Sequence, residues 1–295
     1  LETEAKRIQS LSEPTTVGDP PGVTERTQTT SKTEWRQSVT AATDRIGAGE
    51  LEKVVLAQAL QVSLDRPLSV PETLSRLGQR YSDCYRFLVD PDDGSSGFFG
   101  ATPERLIGRR GRTVETGALA GTTGRGDTPE EDAWLAAELL TDEKNVREHE
   151  FVAEAVREQL QPYAASIRTG ERSIRRLATV QHIETPITAE LAEDEHVLTL
   201  VEALHPTPAV GGLPPDEALR TIRDTEPFDR GWYAAPVGWF DAAGNGSFAV
   251  AIRSAVARDD TATLFAGVGI VEDSDPDREW DEVQLKYRPI LDELE

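Results

Sequence analysis

The sequence is poor in the features that mark several common classes of protein. It has one cysteine, Cys84, and no methionine, not even at position 1. A single cysteine excludes an internal disulfide and makes the cytoplasm the expected compartment. No apolar run approaches the roughly 20 residues of a membrane-spanning helix, and no signal peptide is visible. We interpret the chain as a fragment or processed form whose natural N-terminal part is missing.

Positive charge is also scarce. The 295 residues carry 31 Lys and Arg against 53 Asp and Glu, which gives a net charge of −22. This acidic excess argues against nucleic acid or an anionic membrane as a partner. It suits a soluble, halophilic protein from a salty cytoplasm, where salt screens the repulsion between like charges. Lysine is the rarer basic residue, present as Lys6, Lys32, Lys53, Lys144 and Lys286.

The hydrophobic pattern predicts an α+β protein with a single large domain. Residues 1–33 are polar and contain several Pro and Thr residues, so we interpret them as a linker or a poorly ordered lead-in. Across residues 34–295, predicted strands and helices are interspersed without βαβ regularity, which favours mostly antiparallel sheets flanked by helices. Turns are predicted at 91–94, at 110–111 and, most strongly, at Gly244-Asn245-Gly246. The predicted strands include 54–64, 175–181, 233–240 and 247–254, and the predicted helices include 35–47, 71–81, 143–160 and 213–225.

The last predicted helix carries a polar stripe beside its apolar face. Glu279, Glu282 and Lys286 form this stripe, and Ser274 is the predicted N-cap. The helix follows a strand-like, glycine-containing run at 264–271, and carboxylates beside such a strand end suit a metal or anion site. An exposed ion pair between Glu282 and Lys286 is the simpler alternative on this segment alone.

Two further residues are candidates for proton transfer. Lys53 opens an otherwise apolar strand, and a lysine removed from water at such a place can serve as a base near neutral pH. The alternative is a solvated lysine at the end of a strand. Glu104 follows a strand and Pro103, whose ring fixes the backbone, so its carboxyl is a candidate general acid. The alternative is a turn carboxylate paired with Arg105.

Other segments suit the binding of charged ligands. Glu148 lies in line with an apolar helix face, where a carboxylate needs a cation, and a hard metal ion would serve. A surface pair with Lys144 is the alternative. The small residues at 117–126 would let backbone N–H groups approach a ligand carboxylate, although such a stretch is as often only a turn. The sequence has no Walker loop, CxxC or HExxH motif to support a hydrolase or an NTP-binding loop.

Nine segments, in the same order, resemble the chorismate-utilising enzymes, which include isochorismate, salicylate, anthranilate and aminodeoxychorismate synthases. The resemblance runs from about Glu50 to the end and implies the fold of anthranilate synthase component I. The segments are KVVLAQ at 53–58, GATPERL at 100–106, ALAGTTGRG at 118–126, DEKNVREH at 142–149, VQHI at 180–183, HPTPAVGG at 205–212, EPFDRGWYAAPVGW at 226–239, AIRSA at 251–255 and AGVGIVEDSDPDREWDE at 266–282.

Within this family the chain most resembles the isochorismate synthases of menaquinone biosynthesis. Isochorismate-forming members carry a lysine before VVL, as Lys53 does here, whereas anthranilate synthases carry glutamine because their nucleophile is ammonia. The ALAGT segment with Leu119 also resembles the isochorismate synthases. Gly117 departs from the glutamate that menaquinone-pathway enzymes often have. The alternatives are salicylate synthase, an anthranilate or aminodeoxychorismate synthase component I with a glutaminase partner, and a non-catalytic chorismate-binding protein.

The resemblance also implies roles for individual residues. Lys53 would activate water for attack at ring C2, and Glu104 would protonate the departing C4 hydroxyl. Glu148 and Glu282 would hold Mg²⁺, with Glu279 nearby. The implied partner is chorismate, bound by a monomer without an obligatory glutaminase subunit. The residues implied in substrate binding are Leu119, Gly121, Thr122, His182, Thr207, Tyr233, Arg253, Gly267 and Lys286.

Overall fold

A computed structural model describes residues 18–91 and 97–295. These residues form two seven-stranded antiparallel sheets with helices packed on them. The α+β architecture with mostly antiparallel sheets, predicted from the sequence, is therefore confirmed. None of the helices within these two ranges is long and apolar enough to cross a membrane.

Fourteen strands and seven helices are found in the described residues. The strands are β1 Val23–Gln28, β2 Lys53–Leu64, β3 Tyr85–Val89, β4 Gly97–Thr102, β5 Arg105–Arg110, β6 Thr113–Gly124, β7 Ala164–Thr169, β8 Ser173–Arg176, β9 Val180–Leu191, β10 Gly212–Leu213, β11 Pro236–Phe240, β12 Gly246–Val250, β13 Ser254–Arg258 and β14 Thr261–Ile270. The helices are α1 Lys32–Gly47, α2 Val70–Arg80, α3 Pro129–Thr141, α4 Glu143–Leu160, α5 Val197–Leu204, α6 Pro215–Thr225 and α7 Pro276–Leu291.

Each sheet is built around long central strands. The first sheet has the order β1-β2-β14-β13-β4-β3, with β10 also beside β2. The second has the order β11-β12-β5-β6-β9-β7, with β8 also beside β9. In the first sheet β2 pairs with β14 from Val54 opposite Ile270 to Ser63 opposite Thr261. This continuous pairing fixes which side chains of β2 point to each face.

The two faces of β2 belong to two different cores. Leu56 and Leu60 pack in a core with side chains of α1, α2, α6 and α7. Ala57 and Ala59 instead pack with side chains of the second sheet, α4 and α5, because successive strand residues point to opposite faces. The first sheet is therefore covered by helices on one face and by the second sheet on the other.

Two helix starts show how local sequence sets these boundaries. Ser31 and Glu34 form a reciprocal capping box at the start of α1. At α7 the cap is Asp275, whose Oδ1 accepts from two backbone N–H groups at 3.0 Å each. The prediction of Ser274 as N-cap is wrong by one residue, because the Ser274 hydroxyl accepts instead from the Val271 N–H at 3.1 Å.

The structure corrects the predicted lead-in. Residues 1–17 and 92–96 lie outside the described residues, so the first half of the lead-in and most of the turn at 91–94 are not described. The interpretation of residues 1–33 as poorly ordered is wrong for 23–28, which form β1 on the edge of β2, and for Ser31. The side chains of β1 are largely exposed, so this edge strand lacks the apolar alternation that would have predicted it.

The small-residue segment at 117–126 is also corrected. Most of it is strand rather than turn, because β6 continues to Gly124 and pairs with β9 over its whole length. Its register shifts between Ala120 and Thr122, where Gly121 has a φ of 76°. Gly121 is therefore the extra residue of a β-bulge in this part of β6.

Candidate active site

A cavity lies between the two sheets. Its walls come from β2 and β14 on one side and from β6 and β9 on the other, with α4 and α7 at one end. Its volume is about 60 Å³, which is small beside the roughly 300–1,000 Å³ of most small-molecule sites. The predicted site residues that line it are Glu104, Leu119, Gly121, Thr122, Glu148, His182, Tyr233, Arg253, Gly267 and Lys286.

The four other predicted site residues do not line the cavity directly. Lys53 contacts Glu148, which lines it, and Glu282 contacts Lys286, which also lines it. Glu279 is buried against Lys144. Thr207 is buried, and its hydroxyl has no hydrogen-bond partner within the described ranges. The structure thus gathers twelve of these residues in or directly behind the wall. Glu279 lies beyond them against Lys144, and Thr207 is among the buried loop residues before β10.

Lys53 is buried in an ion pair. Its side chain is 1% exposed, and its Nζ lies 2.9 Å from Glu148 Oε1. Gly269 makes room for both groups, since a Cβ at this position would overlap Glu148 Oε1 and lie 2.7 Å from Lys53 Cε. The alternative of a solvated lysine at a strand end is therefore wrong, and so is the alternative of a surface pair between Glu148 and Lys144.

Glu104 is buried at the cavity wall. Burial raises the pKa of its carboxyl to about 7, against the opposing positive charges of Lys53, Arg253 and Lys286. Arg105 points elsewhere and donates to Glu115 Oε2 and to the Tyr85 hydroxyl, both at 2.7 Å. The alternative of a Glu104–Arg105 pair is therefore wrong. A carboxyl that holds its proton near neutral pH can act as a general acid.

Two more carboxylates next to the cavity are each held by a lysine. Glu282 Oε1 lies 2.7 Å from Lys286 Nζ, which also donates to the Gly267 carbonyl at 2.9 Å. Both side chains are mostly buried, so the pair is not the exposed one considered above. Glu279 accepts from Lys144. Burial and the charge of Glu282 raise the pKa of Glu279. Burial also acts to raise the pKa of Glu282, but Lys286, Lys144 and Thr122 together lower it below its usual value.

The carboxylates supply donors that suit a hard cation. Burial lowers the pKa of Lys144, but Glu279, Glu148 and Glu282 together raise it above its usual value, which places these charges in one neighbourhood. No group of three or more His, Cys, Asp or Glu side chains within the described residues is arranged to hold a metal ion. Mg²⁺ commonly takes one or two protein carboxylates and fills its other positions with water and substrate oxygens. Glu148 and Glu282 fit that pattern.

A buried chain of polar groups crosses the cavity wall at His182. Arg253 Nη2 lies 3.3 Å from His182 Nε2, and His182 Nδ1 lies 3.1 Å from Thr122 Oγ1. Burial and the charge of Arg253 hold the pKa of His182 well below its usual value. Because arginine only donates, Nε2 accepts and the ring proton is on Nδ1.

Two wall residues have a backbone conformation that is unusual for residues other than glycine. Arg253 has a φ of 51° and Ala234 has a φ of 64°, and both line the cavity. The left-handed region is unfavourable for such residues and is often found at functional sites. Arg253 is also the residue that contacts His182.

Three buried groups around the cavity were not predicted from the sequence. His149 Nε2 lies 2.7 Å from Thr185 Oγ1, and burial lowers the pKa of His149 to about 4. Glu226 and Arg230 form an ion pair beside β2. The sequence signal for this pair is an acid and a base four residues apart, which carries little weight outside a helix.

Comparisons with known proteins identify a family and several relatives of this chain. The family described as chorismate binding enzyme matches residues 1–295. The chain is 41% identical over 264 residues to the isochorismate synthase MenF of Bacillus subtilis (strain 168), a match that covers 89% of this chain and 56% of that protein. It is 42% identical over 265 residues to the salicylate biosynthesis isochorismate synthase of Pseudomonas aeruginosa, covering 88% of this chain and 54% of that protein.

A solved structure shares the fold. It is that of MenF, the menaquinone-specific isochorismate synthase from Escherichia coli, with a TM-score of 0.87 and 32% sequence identity. The superposition covers 100% of this chain and 68% of that one. The chain spans little more than half the length of the two relatives from Bacillus subtilis and Pseudomonas aeruginosa.

Proposed function

This chain belongs to the family of chorismate-binding enzymes, and on that premise we propose that it is an isochorismate synthase that converts chorismate to isochorismate. The activity is a proposal because the chain spans only part of the relatives named above. The observation that carries it is an acid and a base close to one cavity. Glu104, a buried carboxyl whose pKa is raised to about 7, lines the cavity, and Lys53, a buried lysine, contacts the lining residue Glu148. The reaction needs both an acid and a base.

The proposed chemistry exchanges one hydroxyl position for another. Water adds at ring C2, the ring double bonds shift, and the C4 hydroxyl leaves, so that one water enters and one leaves. Glu104 protonates the departing hydroxyl, which would otherwise leave as hydroxide. Lys53 removes a proton from the attacking water. Since a lysine accepts a proton only as the neutral amine, its contact with Glu148 has to loosen in the reactive complex.

The substrate carries two carboxylates, which the basic groups of the wall would bind. Arg253 and Lys286 supply positive charge, and Tyr233 and the Gly267 backbone supply hydrogen-bond donors. Glu148 and Glu282, with Glu279 nearby, would hold Mg²⁺, which supplies positive charge for the ring carboxylate. Leu119, Gly121, Thr122, His182 and Thr207 would complete the pocket.

The proposal extends to the pathway, the compartment and the assembly. The MenF relatives favour the menaquinone pathway, and a relative named for salicylate biosynthesis keeps that pathway as the second candidate. The acidic composition supports a halophilic, cytoplasmic protein. We also propose that it acts as a monomer. Lys53 stands where ammonia-using relatives carry glutamine, which supports activity without an obligatory glutaminase subunit.

Product analysis tests the reaction directly. The chain is incubated with chorismate and Mg²⁺, with and without ammonium, beside a control without protein, and the products are separated by chromatography. Isochorismate in both samples is the expected result. Anthranilate formed only with ammonium would overturn it, and salicylate with pyruvate would make the chain a salicylate synthase. Binding without any product would make it a non-catalytic chorismate-binding protein.

A further inference from the structure

One edge of β2 lacks a strand partner at its centre. β10 covers Lys53 and Val54, and β1 covers Leu60–Leu64. Between them, no strand in the described residues pairs with this edge. Unpaired backbone groups in a buried strand are costly, so this gap needs other partners.

Side chains and loop backbone fill the gap instead. Glu226 Oε1 accepts from the Ala57 N–H at 2.8 Å, and Arg230 Nη2 donates to the Val55 carbonyl at 2.7 Å. The Val55 N–H donates to the Gly211 carbonyl at 2.8 Å. The two side chains are an ion pair in which Arg230 Nε lies 2.8 Å from Glu226 Oε2. Glu226 is 3% exposed and Arg230 is 17% exposed.

The same arginine reaches two more parts of the cavity wall. Its Nη1 donates to the Val210 carbonyl at 2.8 Å, and its guanidinium lies 5.9 Å from the centre of the Tyr233 ring. Val55, Val210 and Tyr233 all line the cavity. One guanidinium therefore joins a strand, a loop and an aromatic side chain that come from three separate segments of the chain.

We infer that Glu226 and Arg230 are positioning residues that hold Val55, Val210 and Tyr233 in place for the substrate. The inference rests on the proposed function for its substrate, chorismate. A lysine in place of Arg230 keeps the charge but not the planar fork that bonds Glu226 and two carbonyls together. Arg230→Lys therefore keeps a positive charge beside Glu226 but loses the simultaneous hydrogen bonds to the Val55 and Val210 carbonyls. Glu226→Gln removes the negative charge while keeping the shape of the side chain.

A second buried ion pair provides a matched control. Arg76 Nε lies 3.2 Å from Glu293 Oε2, with side-chain exposures of 13% and 8%. Arg76 also donates to two backbone carbonyls, those of Glu293 at 2.9 Å and Gly18 at 2.8 Å. None of these residues lines the cavity. Arg76→Lys and Glu293→Gln therefore reproduce the loss of a buried pair without touching the site.

The experiment compares the four variants by thermal melting and by steady-state kinetics with chorismate. All four are expected to melt below the parent. Arg230→Lys and Glu226→Gln should raise KM more than they lower kcat and should reduce kcat/KM by roughly 10- to 100-fold, because misplaced walls weaken binding throughout the reaction. The two control variants should stay within about twofold of the parent. Equal kinetic losses in all four variants, or none in the first two, would overturn the inference.

Hydrogen exchange on the same proteins without substrate gives a readout that does not depend on turnover. Arg230→Lys should speed exchange in peptides covering 53–60 and 205–212, and Arg76→Lys should not. Unchanged exchange in Arg230→Lys overturns the positioning role even if the parent is inactive. If the parent protein is inactive but exchange is faster in Arg230→Lys, the proposed function is wrong. The inference that Arg230 holds these wall segments in place then still stands.

Discussion

Lys53 Nζ lies 2.9 Å from Glu148 Oε1, and this contact joins β2 of the first sheet to α4, which packs against the second. The pair brings a candidate base next to a candidate metal ligand. The two side chains neutralise each other's charge in a site that is almost completely shielded from water. The position of the base therefore depends on the carboxylate, and both depend on the space that Gly269 leaves.

Replacement of Lys53 by glutamine tests the proposed base. Glutamine is polar, similar in length, and still able to donate to Glu148, so the fold should be kept. The rate of isochorismate formation should fall by about 10²–10⁴-fold, the usual contribution of a positioned proton-transfer group. Chorismate binding, measured by calorimetry, should change much less.

Lys32 is the matched control for this change, because it is an exposed lysine paired with Asp277 at 3.0 Å. Lys32→Gln should turn over chorismate at the parent rate. If Lys53→Gln does so as well, Lys53 has no role in catalysis and the assignment to the isochorismate-forming members loses its main support.

Gly269→Ala tests the space around the same pair. The backbone of Gly269 is not in the left-handed region, so alanine brings no backbone strain. Its Cβ would instead push on Glu148 and Lys53, and kcat should fall by roughly tenfold or more, as misplaced catalytic groups do. Thermal stability should change little. Gly124→Ala is the control, because no neighbouring atom lies within 4 Å of a Cβ there. Full activity in Gly269→Ala would mean that the pair tolerates displacement.

The sequence allowed the α+β class with mostly antiparallel sheets to be predicted, and it pointed to most of the charged residues found around the cavity. It did not reveal the partners of those residues. Helix spacing offers Lys144 as an alternative partner of Glu148, whereas Glu148 contacts Lys53, and Lys144 contacts Glu279. Helix spacing describes neighbours on one element. Contacts between β2 and α4, or between α4 and α7, depend on how the elements pack, which spacing does not reveal.

The predicted boundaries of β9 were wrong, and this strand contains a proline at its centre. The sequence predicts a strand at 175–181, whereas β9 runs from Val180 to Leu191. It passes through Pro186, a residue type that argues against a central strand. In the structure β8 pairs with residues up to Glu184 and β7 with residues from Ile187. Pro186 therefore lies between these two partners, where its missing N–H leaves no ladder hydrogen bond unmade. The gap in pairing that permits this proline is a property of the assembled sheet.

The proposed Mg²⁺ site is tested by Glu282→Gln and by chelation. Activity should disappear in EDTA and return with added Mg²⁺, because the substrate carboxylate loses its cation. In Glu282→Gln, Mg²⁺ binding measured by calorimetry should weaken together with activity. Glu150→Gln, an exposed change on the same helix as Glu148, should leave both unchanged. Full turnover by the parent in EDTA would rule out a required metal.

Salt dependence tests the proposed halophilic character. The net charge of −22 implies self-repulsion, which is screened when the Debye length falls to roughly 3 Å at 1 M salt. The melting temperature should rise steadily with KCl. Glu154 and Glu158 are exposed on α4, so the double variant Glu154→Gln/Glu158→Gln should melt higher than the parent at low salt and gain less from KCl. A melting temperature that is the same at low and high KCl would count against salt-dependent stability.

The pH dependence of the reaction should follow Glu104. Burial raises the pKa of this carboxyl from 4.5 to about 7, so the acid is protonated below that pH and ionised above it. The rate constant kcat should therefore fall as pH rises through about 7. Glu104→Gln cannot donate a proton, and its rate should be lower by about 10²–10⁴-fold.

Glu104 should also make the free energy of unfolding depend on pH. Because the folded-state pKa is raised, the folded protein binds the proton more tightly than the unfolded chain does. The contribution of Glu104 to the free energy of unfolding is complete below pH 4.5 and is lost as pH rises through about 7. His149, whose pKa is lowered to about 4, acts in the opposite sense, and its contribution is lost as pH falls from 6.5 toward 4.

The informative quantity is therefore the difference in unfolding free energy between Glu104→Gln and the parent, from denaturant titrations at several pH values. This difference should move in favour of the variant between pH 4.5 and 7 and then level off, and a difference independent of pH would show that Glu104 is ionised in the folded protein and is not the acid.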